Sequence, residues 1–389
     1  MYFPTVAVHK KMRPRPSRAP VKGLTALLSL ACVFALSPPR PASASGSIDL
    51  VPSEAVLAAF LNIKEDDPGQ KWLFGELTHY LISEAGKEEE VPEIKDVDLF
   101  HFSDFCYCLL PPDREGKEQM LMAAELISGK GTFGLTYGKS RIQLNVRDEK
   151  AATTTQTQLL TLLLGIACRI PPGAAPEDGI YSTPAGLTRR SFNSYSVTDE
   201  RAIVASRKEI IKAAREGKTR ITSTAAYTEI MSLLPRGWDL YGYAQNDNGS
   251  LDNALGPKGK GWKNLVMALF TPARRAGLAV DVVDRDTSRV AAVFGVANAA
   301  EAHLLRMRFE PALGPLVTQY LDPQIVCALT YEELPKALRI NAQLSNTNPF
   351  WRRVFRKAFH KHREKQRGEG KAGTKAVEIR EGEHSGQDK

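Results

Sequence analysis

Cysteine is scarce in this sequence, with five in 389 residues, and histidine nearly as scarce, with seven. A chain of this length with so few cysteines is not a disulfide-stapled miniprotein. It holds material for about two domains of roughly 150 residues each, with a sizeable core. Zinc-finger, basic-zipper and ribonucleoprotein-type motifs are missing. The composition is not that of a disordered, collagenous or multispanning membrane chain either, since 43% of residues are apolar, 8% aromatic and 25% charged. No stretch of the sequence names a reaction.

The net charge of +8 is unevenly spread. Residues 1–44 carry seven basic and no acidic side chains, residues 351–389 carry twelve basic and six acidic, and the body between them is left with a net charge of −5. A body of that sign repels a phosphate backbone, so no nucleic-acid partner is expected.

The basic N-terminal stretch runs into the apolar residues 23–36, then Pro38, Pro39 and the small triplet Ala42-Ser43-Ala44. These are the three parts of a secretory signal. An apolar helix over residues 23–36 spans roughly 21 Å, short of the roughly 30 Å of a bilayer core, so cleavage is expected rather than a permanent anchor. The signal peptide is read as residues 1–44, with Met12 an alternative start and Ser45 the first mature residue. A lipid on Cys32 is the competing reading, but Ser29-Leu30-Ala31 lacks the aliphatic residues that usually precede a lipidated cysteine. The expected location is therefore the periplasm or cell envelope. The mature chain keeps Cys106, Cys108, Cys168 and Cys327. Three states stay open for them: buried free thiols, two disulfides, or a metal site drawing on His79 or His101. Cys106 and Cys108 sit in a strand pattern and share a face, so they do not bridge each other.

The periodicity of the mature chain predicts an α+β fold, with mixed or antiparallel sheets, packed helices and two similar halves. Strands are expected at 55–63, 104–110, 119–127, 133–146, 189–197, 202–206, 238–244, 278–283 and 290–296. Helices are expected at 68–83, 157–168 (buried), 207–216, 224–234, 262–270 and 298–308. The Pro/Gly-rich run 171–176 divides a first half, 45–170, from a second, 171–348. The second half echoes the first in the order strand, polar loop, tryptophan-led helix and hairpin, at an uneven offset that chance matching of common elements explains as well as a duplication does. Residues 368–389 are expected to be disordered.

Between residues 195 and 243 the chain reads Ala202-Ile203-Val204-Ala205-Ser206, Glu209-Ile210-Ile211-Lys212-Ala213-Ala214, Thr224-Ala225-Ala226-Tyr227, Leu233-Leu234-Pro235 and Asp239-Leu240-Tyr241-Gly242-Tyr243. With the opening Asp49-Leu50-Val51-Pro52-Ser53-Glu54-Ala55, this run resembles a bacterial family of exported proteins known as the domain of unknown function 3352 family. The resemblance is to packing and turn motifs over about 200 residues, and it departs at the basic tail. It implies an exported α+β scaffold and carries over no catalytic residue.

Chemistry-bearing motifs are thin. Gly129-Lys130-Gly131-Thr132-Phe133-Gly134 fits a dinucleotide-binding pattern, with Asp148 near the spacing of a ribose-binding acid, but the strand that follows rejects it, because phosphate binding there needs a helix N-terminus. Gly256-Pro257-Lys258-Gly259-Lys260-Gly261 reads as a solvated loop rather than an anion cradle, and Asn246-Asp247-Asn248 with Asp252 as a turn rather than a calcium loop. His79, His101 and His303 stand beside no G-x-S-x-G motif. No catalytic residue, cofactor or metal ligand is assigned.

The tail is the exception. Asn348 is read as a cap and Pro349 as a first helical residue of a basic amphipathic helix over 349–367. Phe350, Trp351, Val354, Phe355, Ala358 and Phe359 form one stripe, and Arg352, Arg353, Arg356, Lys357, Lys361 and Arg363 surround it. An aromatic face beside a cationic one suits peripheral contact with an anionic membrane surface, and Trp351, Arg352, Arg353, Phe355, Arg356, Lys357, Phe359 and Lys361 are the membrane-facing candidates. The competing reading docks the stripe on the body. The sequence as a whole reads as an exported, non-enzymatic envelope scaffold or binding protein. The alternative is an exported hydrolase with a site assembled between the two halves.

Overall fold

A computed structural model describes residues 46–64, 67–73, 76, 94–98, 102–129, 132–137, 140–171, 173–183, 192–217, 219–247, 273–320 and 324–352. The signal peptide expected over residues 1–44, Ser45, His79, His101, the 256–261 loop, the helix expected at 262–270 and the tail beyond Arg352 lie outside these residues.

Eleven antiparallel strands form one sheet, and three form a second. The large sheet holds β1 (Leu57–Asn62), β3 (Phe102–Leu110), β4 (Gln119–Leu126), β7 (Tyr181–Ser182), β8 (Ser194–Val197), β9 (Arg201–Ala205), β10 (Leu240–Gln245), β11 (Arg275–Val282), β12 (Thr287–Gly295), β13 (Val326–Leu334) and β14 (Ala337–Ser345). The small sheet holds β2 (Ile94–Asp98), β5 (Thr132–Tyr137) and β6 (Ser140–Asn145). The single strand expected at 133–146 is thus a hairpin of β5 and β6. Four helices are bounded within the described residues: α1 (Glu149–Cys168), α2 (Lys208–Glu216), α3 (Ala225–Ser232) and α4 (Ala299–Tyr320). The α+β class is as expected.

The strand order β13-β14-β12-β11-β10-β1-β3-β4-β9-β8-β7 contains the same arrangement twice. Reading outward from the middle, β1, β3, β4, β9 and β8 are laid down in the same sequence as β10, β11, β12, β14 and β13. Each unit is a lone strand, a hairpin, a long helix (α1 or α4) and a second hairpin whose later strand lies inside its earlier one. The units meet where β1 pairs antiparallel with β10, Leu57 opposite Ala244 and Leu61 opposite Leu240. The second unit therefore opens at β10. The run 171–176 only links α1 to β7 inside the first unit, since proline and glycine there break a helix without ending a sheet.

Cross-strand register assigns the two faces. Ala58, Cys108 and Tyr243 share one face, buried under α2 and α3 with Ile211, Ile221 and Ile230. Phe105, Tyr107, Met122 and Val204 lie on the other, under Leu160 and Leu164 of α1. Leu338 and Ile340 lie there too, under Leu305 and Phe309 of α4. Close packing needs glycine where α3 crosses the sheet, because a Cβ on Gly277 would press on Ile230 and Leu234.

Helix ends follow their caps. Asp148 accepts the Ala151 amide at 2.7 Å and starts α1, Thr224 accepts Tyr227 to start α3, and Gly217 closes α2 in the left-handed region. Two helices differ from expectation. α1 starts at Glu149 and is not buried all round, since Leu162 and Ile166 are 62% and 66% exposed. α4 runs through Pro311 to Tyr320. The hairpin β13–β14 has no counterpart among the expected strands.

Candidate functional site

The densest polar cluster among the described residues lies at the seam of the two units. Lys64 follows β1, Asp239 precedes β10, Asp281 ends β11, and Asp67 caps the helix that starts at Pro68. The Asp67 carboxylate accepts the Gln70 amide at 3.0 Å, with Pro68 at the first helical position as expected. Asp67, Asp239 and Asp281 each bring one carboxylate oxygen within 4.8 Å of the others. Such a trio has the donor set for a hard cation, but an ammonium already stands in it: Lys64 Nζ is 2.8 Å from Asp239 Oδ1, 3.6 Å from Asp67 Oδ2 and 3.8 Å from Asp281 Oδ1.

The remaining valences are filled by the fold. Asp239 Oδ1 also accepts Gln70 Nε2 at 2.7 Å, and its Oδ2 accepts the Val282 amide at 2.7 Å. Fully buried Gln70 donates in addition to the Asn62 carbonyl and accepts from the Lys64 amide. Asp281 accepts Arg289, which sits opposite it on β12 and lies 5.4 Å from the centre of the Trp238 ring. Burial pulls the Lys64 ammonium down, but the hydrogen bond and charge of Asp239, joined by Asp67 and Asp281, outweigh it and hold the group above its ordinary value. Lys64 is thereby kept charged at neutral pH and is no nucleophile. The geometry ties five chain segments together; it does not present a vacant ligand site. The sequence singled out none of these residues as a site, and Asp239 entered only within the resemblance run.

The other candidates come apart in the structure. Gly129 donates to Thr153 Oγ1 at 3.0 Å, the chain then enters β5 as expected, and Asp148 spends its carboxylate on the α1 cap. The shallow recess there, lined by Ser128, Gly129, Glu149, Lys150 and Thr153, joins one exposed carboxylate to one exposed ammonium and selects no charge. Asp247 pairs with Arg275 at 3.7 Å. His303 Nδ1 meets Glu333 Oε1 at 3.2 Å on the surface, and that partner is a carboxylate, not a nucleophile. Cys106, Cys108, Cys168 and Cys327 are free thiols. Burial pushes Cys106 up to about 12 and Cys108 well above its ordinary value, and Cys327 also rises through burial. These three are poor thiolates.

At the tail, Asn348 is already helical, and the Trp351 amide bonds the Thr347 carbonyl at 3.0 Å, so the cap position falls on buried Thr347, one residue earlier than expected. Half-buried Trp351 reaches Ser288 Oγ with its indole N–H at 3.3 Å. Arg352 forms a bidentate pair with Glu76 at 3.1 and 2.8 Å. The first turn is thus seated on the body. Arg353, Phe355, Arg356, Lys357, Phe359 and Lys361 lie outside the described residues.

No protein family, curated protein or solved structure matches the chain. Among the described residues no helix is long and apolar enough to cross a membrane.

Proposed function

We propose that this is an exported, non-enzymatic protein of the bacterial envelope that scaffolds or binds a partner and rests on anionic membrane through its basic C-terminal helix. The observation that carries the reading is the three-part stretch over residues 1–44, joined to a body whose net charge is −5 and followed by a tail whose net charge is +6. Charge engagement in the body supports the non-enzymatic part. Buried Asp239 is held by Lys64, the Gln70 side chain and the Val282 amide, buried Asp281 by Arg289 and Lys64, and His303 faces Glu333. A catalytic base needs a proton to take from a nucleophile or a bound water, and these groups are already committed to the fold.

N-terminal sequencing of the protein recovered from the envelope is the direct test. The expected first residue is Ser45. A retained 23–36 segment, or a lipid on Cys32, would overturn the reading and make the protein membrane-tethered at its N-terminus. Native mass spectrometry of the same material then reads any small molecule it carries.

A further inference from the structure

The two ends of the large sheet are not alike. β7 ends it on one side with two residues, whereas β13 ends it on the other with nine, Val326–Leu334. A long edge strand offers its main-chain groups to any other strand, and folded proteins blunt such edges with a bulge, a proline or a lysine. β13 has none of these. Its register with β14 runs evenly from Val326 opposite Ser345 to Leu334 opposite Ala337, and the strand contains neither proline nor lysine. Leu334 and Ala337 close a two-residue turn and so exchange hydrogen bonds; alternation along the pair then spends the main-chain groups of Glu332, Thr330, Ala328 and Val326 on β14. Those of Cys327, Leu329, Tyr331 and Glu333 point away from the sheet and meet no strand among the described residues. The acids of β13 do not guard the edge, because the chain answers them itself: Glu332 accepts Arg339 at 2.8 Å, and Glu333 lies 3.3 Å from Arg306 and 3.2 Å from His303. α4 stands a strand back, with Leu305 and Phe309 packed against Leu338 and Ile340 of β14. Apolar side chains lie open beside the edge. Val326 is 63% exposed, and Met307, four residues from His303 and so on the α4 face that looks toward β13, is 59% exposed.

We propose that β13 pairs antiparallel with β13 of a second copy of this chain, joining the two large sheets across a two-fold axis. Full overlap of the strand with itself centres that axis on Thr330. Val326 then stands opposite Leu334 of the second copy, Cys327 opposite Glu333, Ala328 opposite Glu332 and Leu329 opposite Tyr331. No acid faces an acid. Each outward-pointing residue meets another, so about eight main-chain hydrogen bonds form. A strand of another protein would have to bring this match, whereas a second copy carries it by symmetry. The same operation turns the Met307 sides of the two α4 helices toward each other. The pairing names one partner for the scaffold reading but stands on the sheet alone, so a different N-terminus leaves it untouched.

Analytical ultracentrifugation of the protein as recovered from cells, at micromolar concentration, should give twice the mass of one chain. Crosslinking then reads the register. In a Cys327→Ser background, Thr330→Cys with an added oxidant should yield a disulfide-linked dimer, because residues facing each other at a non-hydrogen-bonded position have Cα atoms about 4.5 Å apart, within disulfide reach. Ala328→Cys should not, since the two copies of that residue are offset by about 13 Å along the strands. Cys327→Pro removes an outward donor where an edge strand tolerates proline, and should weaken the dimer about tenfold or more with the circular dichroism unchanged. A monomer at that concentration overturns the proposal and leaves the edge to a strand of another protein. A dimer that Thr330→Cys links no better than Ala328→Cys overturns it as well, and the copies then meet elsewhere, as through exposed Leu162 and Ile166 of α1. The crosslinks are read on chains that keep the strand free of proline, so they decide the matter even where Cys327→Pro fails to fold.

Discussion

Asp239→Ala should lower the unfolding free energy by on the order of 3 kcal/mol, among the largest losses open to a single polar substitution in this protein. The carboxylate is buried and accepts from three different segments: Lys64 Nζ, Gln70 Nε2 and the Val282 amide. Truncating it leaves a buried amide donor and a buried main-chain N–H without an acceptor, and leaves Lys64 leaning only on Asp67 and Asp281 at 3.6 and 3.8 Å. Each unsatisfied buried donor costs about 1–3 kcal/mol, and the loss of Coulomb attraction adds to it. Asp239→Asn should cost less, because the amide oxygen can still accept from one of the three. Denaturant unfolding of both variants, read as a midpoint shift at constant slope, checks the order. A change within about 0.5 kcal/mol for the alanine variant would mean that the seam is held by its strand pairing alone.

The position of that network explains why it was hidden from the sequence. Lys64 and Asp67 are three residues apart, but Asp239 and Asp281 are far from them and from each other in the chain, and each stands in a stretch with an ordinary local reading. Asp66-Asp67-Pro68 reads as a turn, Asp239 as part of a strand entry, and Asp281 as an acid in an otherwise apolar hairpin. Only the pairing of β1 with β10 and of β10 with β11 brings them together. Elements with strong local contrast were legible. The hairpins β3–β4 and β11–β12, the buried β9, and the capped helices α2 and α3 all carry apolar runs punctuated by proline, glycine or a capping oxygen. The hairpin β13–β14 has a proline at its turn but no apolar run in β13 adjoining it for it to punctuate. Its turn is Pro335-Lys336, not an asparagine–glycine type, and β13 alternates only between exposed and half-exposed positions, so its apolar contrast is faint. The repeat was visible as an echo but not as a topology. β1 and β10 start at residues 57 and 240, whereas α1 and α4 start at 149 and 299. The spacing shrinks because the first unit carries the extra β5–β6 hairpin between its inner hairpin and its long helix.

Deleting residues 353–389 should weaken binding to anionic vesicles about a thousandfold while leaving the body folded. The cut falls after the contacts that seat the helix start, so Trp351 keeps Ser288 and Arg352 keeps Glu76. It removes Arg353, Arg356, Lys357 and Lys361, each worth about 1 kcal/mol near an anionic surface, or about 4 kcal/mol together. A body with a net charge of −5 would be repelled from such a surface unaided, so the tail must supply the attraction, and it acts only within a Debye length of about 8 Å at physiological salt. The seated first turn fixes the helix start on the body, and the cover of the later aromatic stripe, lipid or protein, is what the prediction decides. A full-length variant with those four cations replaced by glutamine separates the two. If lipid covers the stripe, this variant keeps its thermal stability and loses vesicle binding, and adding salt weakens the unaltered protein in the same direction. If the deletion instead melts the body and the glutamine variant sediments with vesicles as well as the unaltered chain does, Phe355 and Phe359 belong to the core and the cations merely solvate an outer face.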